Sequence, residues 1–180
     1  MEGVAAQRYA ASLFEVGVEE NCLDTLWEEL SALNDIFCQN PEFLKLLAAP
    51  ILAHEEKARI IGSTFEGKVS VYALNFVRIL ADKGRIAQFS QVVAAFQKLY
   101  NKHNNIQDVT AVTAVPLKPE LALKLQKRLE ELTGKRIVLQ NQVDPAILGG
   151  VVLKLDNDLI DDSVRARLEG LKKQLSATIA

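Results

Sequence analysis

Residues 148–168 read LGGVVLKLDNDLIDDSVRARL, and this stretch sets the architecture of the second half of the chain. Gly149 and Gly150 precede the alternating run Val151, Val152, Leu153, Lys154 and Leu155. Paired glycines at a strand entrance mark a bulge or a close backbone approach. Asp156-Asn157-Asp158 tolerates the conformations that reverse a chain, so Leu159 and Ile160 are expected to return as the second strand of a hairpin. Asp161 and Asp162 follow, and Ser163 suits the N-cap of a last helix, with the acidic pair at the positive end of its dipole. The stretch reads as scaffold. Its four aspartates lack the EF-hand arrangement and the closing bidentate Glu that calcium needs. Arg165 and Arg167, beside aspartates on the terminal helix, are expected to form exposed ion pairs.

Upstream, the β-branched run from Ile106 to Val115 reads as a strand. Pro116 and Pro119 bracket a turn, Leu121, Leu125, Leu129 and Leu132 line a helix ending at Gly134, and Arg136 to Val143 alternates as a further strand. With the hairpin and a last helix carrying Val164, Leu168, Leu171, Leu175 and Ile179, residues 105–180 are expected to form a small α+β domain of one sheet and two helices.

Residues 1–104 carry a different period. Val4 to Val18 sets apolar positions among small alanines, which lets a neighbouring helix approach closely. Leu23, Leu26, Trp27, Leu30, Leu33 and Phe37 follow the spacing of one amphipathic helix, which Asn40-Pro41 ends. Short helices around Phe43 to Leu47 and His54 to Ile61 come next. Longer ones are expected from about Lys68 to Lys83, closing at Gly84, and from Ile86 to Lys102. The fold class is therefore mainly α with a smaller α+β part: an N-terminal six-helix bundle, then a small sheet with two helices.

Composition narrows the functional classes. Hydrophobic residues make up 49% and charged residues 24%, and the formal charge is −2, ordinary for a globular protein and unlike a nucleic-acid binder. No apolar run approaches the roughly 18 residues of a membrane span, and no secretory leader is expected. Cys22 and Cys38 lack the spacing of a metal site, and His54 and His103 lack a nucleophile signature, so no catalytic residue, metal or cofactor is assigned. Gly62-Ser63-Thr64-Phe65-Glu66-Gly67-Lys68 matches the G-x-x-x-x-G-K spacing of a phosphate-binding loop, which would make a nucleotide-binding protein. Against it, Val69 stands where a magnesium-holding hydroxyl belongs, the preceding segment has a helical pattern, and Phe65 and Glu66 put bulk and negative charge where phosphate would sit. A loop joining two helices is the expected alternative.

Three motifs in register carry a family resemblance. Gly149-Gly150, Val-Val-x-Lys, the acidic turn and Ser163-Val-Arg165-x-Arg167-Leu resemble the C-terminal signature of the bacterial F-type ATP synthase delta subunit, counterpart of the mitochondrial oligomycin-sensitivity-conferring protein. Val4-Ala5 with Arg8-Tyr9-Ala10 and Leu13-Phe14 is similar to that family's opening helix, and Phe76-Val77-Arg78 through Gly84-Arg85-Ile86 to its middle. The resemblance implies a non-catalytic stator subunit, monomeric in its complex and peripheral on the cytoplasmic face of the bacterial membrane. It implies that the first and fifth helices hold the N-terminal helix of an alpha subunit, and that the C-terminal region engages the peripheral-stalk b subunits. By position it points to Tyr9, Ser12, Leu13 and Val16 on the first helix and Phe76, Ile79 and Leu80 on the fifth. Periodicity alone leaves open which of these face a groove and which the core. Leu13→Asp and Leu80→Asp are expected to weaken assembly without loss of helicity.

Overall fold

The computed structural model describes residues 2–49, 52–147, 149–155 and 158–163. The protein is mostly helical, with one four-stranded sheet, and divides into two compact units, Met1–Tyr100 and Asn101–Ala180. In the first unit lie α1 (Glu2–Glu19), α2 (Leu23–Gln39), α3 (Pro41–Ala48), α4 (His54–Phe65), α5 (Val71–Asp82), a 3-10 turn at Ile86–Gln88, and most of α6 (Phe89–His103). These helices share one core. On α2, Leu26, Leu30, Leu33 and Phe37 are all buried, the stripe expected of a helix with one face inward. Phe37 is the hub of the aromatic packing, with its ring centroid 4.9 Å from Phe89, 6.0 Å from Phe65 and 6.1 Å from Phe43.

Local chemistry explains the helix ends. Asn40 closes α2, with its backbone N and its Nδ2 both donating to Ile36 O, and Pro41 then occupies the first turn of α3, where a missing N–H does no harm. Ser70 caps α5 by accepting from Ala73 N, and Ser70 itself donates from N and Oγ to the carboxylate of Glu29 on α2, at 2.7 and 2.6 Å. At the other end Gly84 (φ +64) gives α5 a Schellman close, with Arg85 N donating to Leu80 O at 2.8 Å and Gly84 N to Ala81 O at 3.1 Å.

Two expectations in this half change. The fourth helix continues to Phe65 instead of stopping near Ile61, so the first half of the Gly62–Lys68 stretch is helix and not loop. The fifth begins at Val71 because the Ser70 cap, tied to Glu29, fixes its start.

The second unit contains β1 (Ile106–Thr113), α7 (Pro119–Thr133), β2 (Arg136–Val143), β3 (Gly150–Leu155) and β4 (Asp158–Ser163), in the sheet order β2-β1-β3-β4. β1 and β2 run parallel, linked through α7 as a parallel pair requires, and β1–β3 and β3–β4 are antiparallel. Val109, Ala111, Leu129, Ile137, Leu153 and Leu155 form its core, drawn from alternate strand positions and one face of α7. Polar groups finish the job. Asn141 donates to Ala111 O and Thr113 Oγ1 and accepts from Leu117 N, each at 2.9 Å. On the outer strand, Ile137 N donates to Glu130 and Ile137 O accepts from Gln126, so α7 side chains cover part of an open sheet edge.

The hairpin forms as expected but is longer. Its second strand reaches Ser163, in the register Gly150↔Ser163, Val151↔Asp162 and Val152↔Asp161. Asp161, Asp162 and Ser163 are thus ladder residues, because satisfying the backbone of β3 back to Gly150 outweighs the poor strand propensity of aspartate. Ser163 is the last residue of this strand, and the helix it was expected to cap lies outside the described residues. Gly149 and Gly150 both have positive φ (153° and 86°), which explains why glycine stands at the strand entrance. The Asp156-Asn157 turn, the last helix, Arg165 and Arg167 lie outside the described residues.

Candidate functional site

The residues singled out on the first and fifth helices are mostly brought together. Tyr9, Ser12, Leu13 and Val16 of α1 face Phe76 and Ile79 of α5 across an open trough of 330 Å³, which Tyr72 and Asn75 complete. The two helices run in opposite senses along it. Tyr72, early in α5, lies beside Glu20, just past the end of α1, whereas Arg85, past the end of α5, meets Tyr9. The Glu20 hydrogen bond, then burial, then the charge of Glu20 hold the Tyr72 phenol above its ordinary value of 10.0.

Tyr9 is the pivot of the site. Its ring meets Phe76 edge-on with centroids 6.4 Å apart, and the Arg85 guanidinium carbon lies 5.5 Å from the Tyr9 centroid on the way to a 3.3 Å hydrogen bond from Nη1 to the phenol oxygen. Exposure sorts the candidates. Ile79 is 47% exposed, Leu13 and Phe76 are walls of the trough at only 5% and 6%, and Leu80 is at 0%. Leu80 is therefore core: with Ala73 and Val77 it makes the inward i, i+4, i+7 stripe of α5, one helical step away from the stripe Tyr72, Phe76, Ile79. Tyr72 and Asn75 were missed although that second stripe was visible, because α5 carries apolar residues on nearly every side.

A second hollow, 590 Å³, lies on the other flank of α1 against α6, lined by Gly3, Ala6 and Ala11 with Ala94, Ala95 and Leu99 among others.

The phosphate-loop spacing does not build a phosphate site. Gly62 is buried within α4, and a Cβ there would stand 3.0 Å from Arg78 Nη2 and 3.4 Å from Glu66 Oε2, so glycine makes room for an arginine side chain. Backbone N–H groups in this helix end are engaged, Glu66 N on Gly62 O and Lys68 N on Phe65 O. Among the described residues no cluster of three or more His, Cys, Asp or Glu is placed to hold a metal, and Cys22 and Cys38 are unbridged. Burial, with a smaller push from Glu20, raises the Cys22 thiol above 9.0. His54 Nδ1 lies 3.2 Å from Asp82 Oδ1 at the surface.

The chain thus combines a helical unit bearing a shallow, mostly apolar trough with a small α+β unit. Comparison gives it a family. The family model for the ATP synthase delta (OSCP) subunit matches residues 5–175. "ATP synthase subunit delta" of Clostridioides difficile (strain 630) is 35% identical over 181 residues, covering 100% of both chains. The protein of that name from Alkaliphilus oremlandii (strain OhILAs) is 38% identical over 176 residues, covering 98% of each. Among solved structures, a chain of the Toxoplasma gondii mitochondrial ATP synthase hexamer has the same fold, with TM-score 0.72, 22% identity and coverage of 94% of this chain and 96% of that one. The chain belongs to the ATP synthase delta (OSCP) subunit family. It is a structural subunit of the ATP synthase and not an enzyme in its own right, and no helix among its described residues is long and apolar enough to cross a membrane.

Proposed function

We propose that the chain is a stator link of the F-type ATP synthase. Residues 1–104, acting as a six-helix bundle, hold the N-terminal helix of an alpha subunit on the catalytic head, and residues 105–180 engage the peripheral-stalk b subunits. Such a link keeps the head from following the rotor, so that rotation drives proton-coupled ATP synthesis. It works as one copy per complex, peripheral on the cytoplasmic face of the bacterial membrane.

The observation that carries this reading is the α1/α5 trough. Its position between two helices and its mixture of buried walls and an exposed Ile79 suit the apolar stripe of an amphipathic helix, which docks through anchors at i, i+3, i+4 and i+7. The burial pattern selects the probes. Leu80→Asp and Leu13→Asp would place a charge in the core and unfold the unit, so Ile79→Asp and Val16→Asp replace them. Titration of the full chain with an alpha-subunit N-terminal peptide should show Ile79→Asp weakening binding roughly tenfold or more, with circular dichroism and melting unchanged. Equal affinity of wild type and Ile79→Asp would reject the trough as the seat.

The phosphate-loop alternative predicts ATP–magnesium binding in equilibrium dialysis. The helical setting of Gly62 and its packing against Arg78 favour no binding.

A further inference from the structure

The trough ends at two arginines, and what they do rests on the trough being the seat of a partner helix. Arg8 of α1 and Arg85 line a hollow of 440 Å³ with Val4, Ala5, Tyr9 and Ser12. None of these six residues is acidic, and among the described residues neither arginine has a carboxylate within ion-pair distance. Both are exposed. Arg85 is already oriented, donating to Tyr9 Oη at 3.3 Å with its guanidinium against the ring.

Tyr9 and Ser12 line both the hollow and the trough, so the two are one continuous depression. Along α1 it runs from Val4 to Val16, roughly 18 Å at helical rise, the length of about 12 residues of a docked helix. Its two ends differ in charge. Arg8 and Arg85 stand at one, and Glu20 lies beside Tyr72, which lines the other.

We propose that the arginine end recognises a side-chain carboxylate, so the segment that docks is an amphipathic helix with an Asp or Glu seated against Arg8 and Arg85 while its apolar residues fill the trough. Guanidinium groups match carboxylates in a two-pronged geometry, and here no internal acid competes for them. The apolar wall shared with the trough favours a carboxylate carried on a helix over a free anion.

Calorimetry on the full chain tests this with the alpha-subunit N-terminal peptide and with versions in which each acidic residue is changed singly to its amide. Arg8→Gln should weaken the parent peptide by about two- to fivefold at low salt, and less at high salt. One amide peptide should bind wild type and Arg8→Gln alike, and Arg8→Glu should regain affinity for a peptide with Lys at that position. Arg85→Gln should agree in direction, and Arg8 is the cleaner probe because the hydrogen bond and the guanidinium contact to the Tyr9 ring belong to Arg85.

The proposal is overturned if arginine variants leave peptide affinity unchanged while Ile79→Asp abolishes it; docking then stands without the carboxylate. It is also overturned if inorganic phosphate binds in an Arg8-dependent way while every amide peptide binds like the parent, since the hollow is then a free-anion site. No binding of the parent peptide removes the docking reading and this one with it.

Discussion

The two units hold themselves together by different means. In the helical unit, side chains do most of the work: rings from α2, α3, α4 and α6 interlock around Phe37, and the buried set draws on all six helices from α1 to α6 and on the 3-10 turn. Among the described residues of the sheet unit the buried set is small, and backbone ladders are closed by polar clamps at Asn141, Gln126 and Glu130. The difference teaches where each half is vulnerable. A helical core fails through lost volume, because close-packed interiors relax only partly around a cavity. A thin sheet fails through lost hydrogen bonds, because its exposed backbone groups have few alternatives.

The strongest test of that contrast is Phe89→Ala. It removes a fully enclosed ring 4.9 Å from Phe37 and should cost the helical unit about 3–5 kcal/mol in urea unfolding. Hydrogen exchange of β1 amides should keep its protection; a parallel loss there would break the distinction. Ser70→Ala comes next, at about 0.5–2 kcal/mol, because it removes the α5 cap and the hydroxyl that meets Glu29. Its effect should appear first as faster exchange at the start of α5. In the sheet unit Asn141→Ala removes three hydrogen bonds at a partly solvated site and should cost about 0.5–1.5 kcal/mol. An Asn141→Asp variant, which keeps the acceptor for Leu117 N and loses the donors, divides that effect.

The smallest effect concerns a proton. Tyr72, held neutral by Glu20, should ionise above its ordinary value of 10.0, and Glu20→Gln should lower the titration of one of the three tyrosines followed by tyrosinate absorbance. The sign follows from the proton count. A raised folded value means that the folded chain holds this proton longer than the unfolded one, so the contribution is complete below the unfolded value and fades as pH climbs through the folded one.

Much of this was legible in the residues. The spacing of Leu26, Leu30, Leu33 and Phe37, the Asn40-Pro41 break, the positive-φ glycines at 84 and 134, and the alternation of Arg136–Val143 report local physics directly. What escaped depended on partners distant in sequence. Gly62 reads as loop until Arg78 is seen packed against it, and Asp161-Asp162 reads as the acidic lead-in to a helix until the ladder to β3 is in view. Leu80 could not be told from Ile79 because α5, VYALNFVRILAD, is apolar on more than one face, and burial alone separates them. For the site the sequence supplied both walls of the trough. It left out Tyr72 and Asn75, and it gave no sign that Arg85 reaches back to Tyr9.

The Glu29 clamp on Ser70 has a kinetic meaning. Held at its cap residue by a carboxylate and closed at its last turn by the Gly84 reversal, α5 is fixed at both ends. A jaw already set in its final position spares an incoming segment the entropy of shaping its own receptor. Stopped-flow mixing should then show a single phase whose rate rises linearly with peptide concentration, with no plateau from an internal opening step.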